Sequence, residues 1–492
     1  MATNERRSDA HKRHRREYAF IPRIINPRKI SNVVILSAGE EVRASVNVLR
    51  ERVPWVETNV LSNPLTVSDY QSGRASVFIF DDTAMNIVDA EKIRRNNPDA
   101  VLVLLSANPF IYCSPPAIAE EKFPYATRAD LVFALDNREF TPQKIITSVV
   151  RSAEDRLNIE RYSRARRFIF LIVDDEPRWF SQFLPVLYDI VGQRADVMMT
   201  RTYEETLAFL FGVESESEID EEGYRFMGYG DDVVCLITDI FFPKGNDMAC
   251  KAGLDVIRLA HKYYPRYPVI IASKARAADE LKEMAFVLPK GDPGSLEKLR
   301  EYIQNFTAMG DFVICGGDGE ELYRATNIQE LYELVLEASG GTERAKTLRE
   351  CIEIYADNDH FSTWLYMHSF RELADLLRPK QTRGRELFSM LKRYLKREVL
   401  RLSCTPLVIA GNKIFELEDL LNFLKRADAD RLQPFSDNDA FSSWLDRKGY
   451  PELAEELRPI HASGEKIREI LIRHVEKWKS IYDQRSREHG RS

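Results

Sequence analysis

The stretch that decides the fold of the central region reads FIFLIVDDEP, residues 168–177, and it is echoed by VVCLITD at residues 233–239. Both begin with an uninterrupted apolar run of strand length and lead into aspartate. Strands that are apolar along their whole length are typical of parallel sheets, because helices cover both faces. Helix-like segments alternate with further apolar runs as far as Asn305. The pattern predicts an α/β domain with a doubly wound parallel sheet over residues 165–306.

Polar residues suited to a charged ligand fall at the ends of these predicted strands. Asp174 and Asp175 follow the first strand, Asp239 follows the third, and two later strands end near Ser273 and Lys290. The carboxyl ends of parallel strands converge on one edge of an open sheet, where ligands bind. Carboxylates held close together repel each other unless a cation is present, and Mg²⁺ favours carboxylate and water oxygens. The sequence therefore predicts a magnesium site at this edge.

The five residues and their spacing resemble the receiver domains of response regulators, the CheY-like family. The resemblance implies that Asp239 accepts a phosphoryl group from a histidine kinase or phosphotransfer protein. It implies four Mg²⁺ ligands, which are Asp174, Asp175, Asp239 and the carbonyl of Phe241. It implies two phosphoryl-binding residues that take part in switching, which are Ser273 and Lys290. No further catalytic residue and no other enzymatic activity are expected.

Among the departures of the central region from the family pattern, two bear on its function. Many receivers have an aromatic residue three positions before the lysine, but Val287 stands there. An acidic stretch at residues 214–232 lengthens the segment before Asp239. These departures keep a second hypothesis open, in which the protein is a scaffold whose receiver-like domains bind a partner without being phosphorylated.

Residues 31–160 repeat the strand and helix rhythm without the same chemistry. Ser37, Ala38 and Gly39 follow the first strand where an acidic pair is needed. Asp81 or Asp82 follows the third strand, Ser106 the fourth, and only Asp136 stands near the position of the lysine. We predict a degenerate receiver-like domain that binds Mg²⁺ weakly and mediates protein contacts or the formation of a homodimer.

The C-terminal part predicts a mainly α-helical duplicated module. Residues 357–379 and 437–459 are offset by 80 residues and share 13 of 23 positions. We expect the conserved apolar positions of the repeat to pack in its core, and Arg458 to pair with Asp439. The predicted segments are unit 1 at 309–380, a connecting helix at 381–405, unit 2 at 406–462, and a C-terminal helix and tail at 463–492.

Three segments extend the resemblance beyond the receiver, namely Ile237–Ala260, Met309–Leu322 and Asp357–Pro379. They resemble a bacterial family in which a receiver is followed by such a helical repeat. An ATP-binding part similar to phosphoenolpyruvate synthase and pyruvate phosphate dikinase then follows. This sequence has no Gly-rich phosphate loop. The resemblance therefore implies a regulatory part without the ATP-binding part.

The bulk composition narrows the possible partners. A net charge of -7 argues against a surface devoted to nucleic acid, although residues 1–30 form a basic arm that we expect to be flexible. Apolar runs long enough to span a membrane are missing, and the six cysteines form no CxxC pair. We expect a cytoplasmic response regulator whose output passes through contacts with an unknown downstream protein.

Overall fold

The structure is a computed structural model of the 492-residue chain. It describes residues 29–37, 39–40, 42, 53, 56–60, 76–114, 116–135, 141–161, 168–192, 194–219, 228–247, 251–264, 268–274, 281, 285–292, 294–317, 319–357, 360–368, 370–377, 383–437, 439–458 and 460–489. The chain forms two compact units, residues 1–300 and 301–492. The predicted basic arm lies almost wholly outside the described residues.

The first unit contains two five-stranded sheets in which every pair of strands is parallel. The strands of the first sheet are β1 (Asn32–Leu36), β2 (Glu57–Val60), β3 (Ser76–Asp81), β4 (Val101–Ser106) and β5 (Leu131–Ala134). Those of the second are β6 (Ile169–Val173), β7 (Asp196–Thr200), β8 (Val233–Thr238), β9 (Val269–Ser273) and β10 (Phe286–Pro289). Both sheets have the spatial order 2-1-3-4-5, counted within each domain, which is the doubly wound order of flavodoxin-like folds.

The described helices of the first unit connect these strands and cover the sheets. They are α1 (Asp82–Ile87), α2 (Ala90–Asn96), α3 (Phe110–Cys113), α4 (Pro116–Lys122), α5 (Pro142–Arg161), α6 (Pro177–Phe180), α7 (Leu184–Val191), α8 (Tyr203–Phe211), α9 (Ala252–Tyr263) and α10 (Ser295–Phe306), the last of which continues into the second unit. All five residues of β6 are buried, as expected for a central strand with helices on both faces.

The helical segment after β6 is interrupted. A 3₁₀ turn at Ser181–Phe183 separates α6 from α7. Pro185 explains the break, because proline has no N–H to donate to the carbonyl of Ser181 four residues earlier. The N–H of Leu184 donates to that carbonyl instead.

The second unit is mainly helical and contains the internal repeat. Its hairpins pair β11 (Phe312–Cys315) with β12 (Glu321–Ala325) and β13 (Leu407–Ile409) with β14 (Asn412–Ile414), both antiparallel. Its helices among the described residues, after α10, are α11 (Ile328–Ala338), α12 (Glu343–Asp357), α13 (His360–Met367), α14 (Arg371–Leu377), α15 (Gly384–Cys404), α16 (Leu417–Leu424), α17 (Ala429–Asp437), α18 (Ala440–Arg447), α19 (Pro451–Leu457) and α20 (Glu465–His489). Each described repeat is therefore a hairpin followed by four helices.

The conserved aromatic residues of the repeat lie in its core. Phe361 and Trp364 on α13 are buried, as are Phe441 and Trp444 at the equivalent positions of α18. The predicted pairing of Arg458 with Asp439 is wrong. Arg458 lies 3.6 Å from Asp446 and Asp439 lies 3.7 Å from His461, because α18 turns the carboxylate of Asp446 toward the buried guanidinium.

The predicted fold class is confirmed. Two parallel five-stranded α/β sheets precede a largely helical C-terminal region. Within the described part of the chain, no helix combines the length and the apolar character that crossing a membrane requires.

Candidate functional site

The polar residues of the second sheet stand at its carboxyl edge, where the order of the strands reverses between β6 and β8. At three of these residues, the backbone hydrogen bonding between neighbouring strands continues one residue beyond the end of the strand. The N–H of Asp174 donates to the carbonyl of Thr200, that of Asp239 to Val173, and that of Lys290 to Ser273, at 3.0, 2.8 and 3.1 Å. These backbone hydrogen bonds fix the Cα positions of Asp174, Asp239 and Lys290 at the carboxyl edge of the sheet.

Lys290 joins two of the aspartates. Its Nζ lies 2.6 Å from Asp174 Oδ2 and 2.5 Å from Asp239 Oδ2. The side chain of Lys290 is 1% exposed, that of Asp174 is 2% exposed and that of Asp239 is 14% exposed. A buried ammonium is tolerated only when carboxylates compensate it. Burial lowers the pKa of Lys290, but Asp174 and Asp239 raise it by more, so its pKa lies above the usual value and it remains charged.

The adjacent aspartates after β6, Asp174 and Asp175, both have raised pKa values. Burial raises the pKa of Asp174 to about 7, with Lys290 opposing the rise and Asp239 adding to it. Burial also raises the pKa of Asp175 to about 6, helped by the neighbouring charge of Glu176. The cluster has three carboxylates for one ammonium, so a further cation would be favourable there.

The donor set fits Mg²⁺ in chemistry, since it consists of carboxylate oxygens close to the backbone. Asp174 Oδ2 is buried and accepts no hydrogen bond of good geometry, although the ammonium of Lys290 is close. With that ammonium between Asp174 and Asp239, the described residues gather no three His, Cys, Asp or Glu side chains into a ready metal cage. Binding of Mg²⁺ by Asp174, Asp175 and Asp239 therefore stays a prediction.

The two other predicted site residues lie at the same edge. Ser273 ends β9 and is buried, while Phe241 follows Asp239 by two residues and has an exposed side chain. Since Phe241 was predicted to act through its carbonyl, exposure of its ring does not conflict with that role. Val287 lies within β10, three residues before Lys290, as the sequence indicated.

Gly253 is a site residue that sequence reasoning missed. A Cβ at Gly253 would lie 1.9 Å from the carbonyl oxygen of Asp239, and its N–H donates to the carbonyl of Ile240 at 3.0 Å. Only glycine lets the first turn of α9 come this close to the backbone of Asp239. The glycine that follows Ala252 was the available signal, but its partner is distant in sequence.

The first domain has a different arrangement at the equivalent edge. Asp82 accepts hydrogen bonds from the hydroxyl of Ser106, at 2.8 Å, and from that of Tyr125, at 3.1 Å. Asp81 caps α1 by accepting from the N–H of Ala84 at 2.9 Å. Both candidate aspartates are thus engaged within the domain. Burial, with Asp82 nearby, raises the pKa of Tyr125 to about 12, so its hydroxyl stays protonated and donates.

The residue at the lysine position of the first domain is Leu135. Its N–H donates to the carbonyl of Ser106 at 2.9 Å, as the N–H of Lys290 donates to that of Ser273. The prediction named Asp136, which lies outside the described residues. The equivalent backbone hydrogen bonds of Leu135 and Lys290 show that the lysine position of the first domain is one residue earlier than predicted. An apolar side chain there cannot supply the ammonium of Lys290.

Comparisons with known proteins give distant similarities. No protein-family model matches the chain, and no curated protein matches its sequence. A putative two-component system response regulator/GGDEF domain protein aligns at 14% identity and a TM-score of 0.27, over 56% of this chain and 98% of its own. A probable response regulator/GGDEF domain protein aligns at 14% identity and a TM-score of 0.26, over 55% and 96%. The receiver-like character of the two domains rests on their sheet order and strand ends.

Proposed function

We propose that the protein is a response regulator of a two-component phosphorelay, phosphorylated on Asp239 by a histidine kinase or phosphotransfer protein. The observation that carries the proposal is the buried ion cluster of Lys290 with Asp174 and Asp239 at the carboxyl edge of the second sheet. Among the two carboxylates that Lys290 contacts, that of Asp239 is the more exposed. It is therefore the one that a phosphodonor can reach.

The reaction follows from the position of the groups. A carboxylate oxygen of Asp239 attacks phosphorus, and the bond from phosphorus to the donor nitrogen breaks with its electron pair left on that nitrogen. Ile240 N–H already donates to Asp239 Oδ1 at 2.6 Å, while Lys290 holds Oδ2. Bound Mg²⁺ would supply charge neutralisation for the phosphoryl oxygens. Lys290 would pair with the phosphoryl group afterwards, and the hydroxyl of Ser273 would donate to it.

The downstream step of the proposal is a change in protein contacts. The added phosphoryl group has a charge of about -1.5 to -2, which draws Lys290 and Ser273 toward it and shifts the loops after β9 and β10. We assign no separate enzymatic activity and no nucleic-acid or membrane partner to the chain. The protein would act in the cytoplasm on a downstream protein, or on a second copy of itself.

The test is intact mass after incubation with Mg²⁺ and acetyl phosphate. The wild type should gain the mass of one phosphoryl group, and Asp239→Asn should gain none. Asp82→Asn in the first domain is the matched control and should be labelled like the wild type, because Asp82 is engaged by Ser106 and Tyr125. Equal labelling of Asp239→Asn and the wild type would refute the proposal.

A second candidate is a scaffold that binds its partner without phosphorylation. Lys290 already contacts both Asp174 and Asp239 in the structure, and Leu135 makes the first domain unsuited to the chemistry. Partner binding measured with and without acetyl phosphate separates the candidates. Equal binding by wild type and Asp239→Asn in both conditions would favour the scaffold.

A further inference from the structure

Arg178 links the loop after β6, residues 174–176, which we call the acidic loop, to the first domain. The residue is buried, and its Nη1 donates to the carbonyls of Ile111 and Ser114, at 2.6 and 2.8 Å. These carbonyls belong to the short helix α3 and its end, where backbone acceptors lack partners within the helix. Nε of Arg178 donates to Glu176 Oε2 at 2.5 Å. One guanidinium thus links the first domain to the loop that bears the acidic pair.

Glu176 extends this link into the site. Its N–H donates to Asp174 Oδ1 at 3.0 Å, so the orientation of the loop determines where that carboxylate points. Its own carboxylate is held by Arg178. The chain of contacts therefore runs from α3 through Arg178 and Glu176 to Asp174, which contacts Lys290.

Trp179 makes a second link beside the first. Its ring meets Tyr112 of α3 edge to face, with centroids 6.5 Å apart, and Lys274 Nζ lies 4.1 Å from its centre. A Cβ on Gly291 would lie 3.2 Å from the same ring. Lys274 and Gly291 directly follow Ser273 and Lys290. The indole therefore touches the residues that follow both phosphoryl-binding candidates, and it also touches the first domain.

Other contacts hold the two domains together away from this edge. Two side chains bind the free edge of β5 at Val132. The hydroxyl of Ser181 accepts a hydrogen bond from the N–H of Val132 at 3.1 Å, and the amide of Gln182 donates to the carbonyl of Val132 at 3.0 Å. Arg151 of α5 donates to the carbonyl of Gly192 at 2.7 Å, in the turn that precedes β7. Since these contacts use no side-chain atom of Arg178 or Trp179, both side chains can be changed while the domains remain docked.

We propose that Arg178 and Trp179 are positioning residues for the reaction at Asp239, and that helix α3 of the first domain is the body against which they are held. The chemistry of this inference rests on the proposed function. The first domain then acts as a built-in regulator of the second. Coupling between two sites is reciprocal. A change at Asp239 should therefore alter α3, and a change at the α3 contact should alter the site.

The first experiment measures Mg²⁺ binding to the full chain by titration calorimetry, with the metal alone. Arg178→Ala should raise the Kd for Mg²⁺ about tenfold, the lower end of what loss of an outer-shell partner causes. Arg178→Lys should recover part of the affinity, because an ammonium can still donate to one carbonyl. Arg151→Ala also removes a buried contact between the domains, yet it should leave the Kd unchanged. Equal Kd values for Arg178→Ala and Arg151→Ala would overturn the positioning role.

The second experiment measures hydrogen exchange in the peptide that covers residues 110–114. Acetyl phosphate with Mg²⁺ should change its exchange in the wild type, and this change should be lost in Trp179→Leu. Intact mass of the same samples shows whether phosphorylation took place. A phosphorylated wild type with unchanged exchange would overturn the coupling and leave the proposed function standing.

A third measurement, on the unphosphorylated protein, tests the coupling without relying on the proposed function. Asp239→Asn weakens the ion pair with Lys290 in the absence of a phosphodonor. The coupling predicts that this substitution alters hydrogen exchange in residues 110–114. If the wild type gains no mass, the proposed function fails. The coupling is then judged by this variant, and exchange equal to that of the wild type would refute it.

Discussion

Replacement of Lys290 by methionine is the most direct perturbation of the candidate site. The substitution keeps an unbranched apolar stem but removes the ammonium that lies 2.6 Å from Asp174 and 2.5 Å from Asp239. Removing one partner of a buried ion pair leaves an uncompensated charge and costs about 3 kcal/mol or more. We therefore expect Lys290→Met to destabilise the second domain by about 3 kcal/mol at pH 8.

The loss should depend on pH. Asp174 already has a pKa raised to about 7 by burial, and removing the lysine takes away the charge that opposes this rise. At pH 5 the aspartate can take up a proton, which relieves the uncompensated charge. The destabilisation caused by Lys290→Met should thus be smaller at pH 5 than at pH 8. Millimolar Mg²⁺ should also recover part of the stability at pH 8, since a cation can replace the ammonium.

The assay is native-state hydrogen exchange of the full chain, followed in peptides from β6 and β8, which reports local free energies of opening. Lys244→Met is the matched control, because Lys244 pairs with Asp255 at 2.5 Å in a more exposed setting. An exposed pair is worth less than about 1 kcal/mol. A cost for Lys290→Met no larger than that for Lys244→Met, or the same cost at pH 5 and pH 8, would contradict this prediction.

Three further predictions follow from the same structure. Gly253→Ala places a methyl group 1.9 Å from the carbonyl of Asp239 and should abolish labelling by acetyl phosphate in the intact-mass assay, whereas Gly341→Ala, with open space around its Cα, should be labelled normally. The acidic pair after β6 has pKa values raised to about 7 and about 6, so the folded state binds more protons than the unfolded one, and stability measured by exchange in β6 should fall as pH rises from 4 to 7. Asp446→Asn leaves the guanidinium of Arg458 buried without its carboxylate and should cost about 3 kcal/mol in urea unfolding of the second unit; a loss below 1 kcal/mol would contradict this.

Much of the fold could be predicted because local pattern and tertiary burial agree. The apolar run of β6, which the sequence predicts as a strand of a parallel sheet, is buried along its whole length. The repeat was also readable, since Trp364 and Trp444 occupy equivalent buried positions. The pairing of Arg458 could not be predicted, because it depends on how α18 and α19 pack rather than on spacing along the chain.

The sequence by itself determined that Asp174, Asp239 and Lys290 begin at one edge of a sheet, because parallel strands with apolar residues on both faces bring their carboxyl ends together. It determined equally that the first domain lacks the acidic pair. Only the tertiary structure decided that Lys290 bridges two carboxylates, that Leu135 takes the lysine position, and that α3 is held against the acidic loop. These features depend on side chains that are distant in sequence and meet only when the sheets and helices pack.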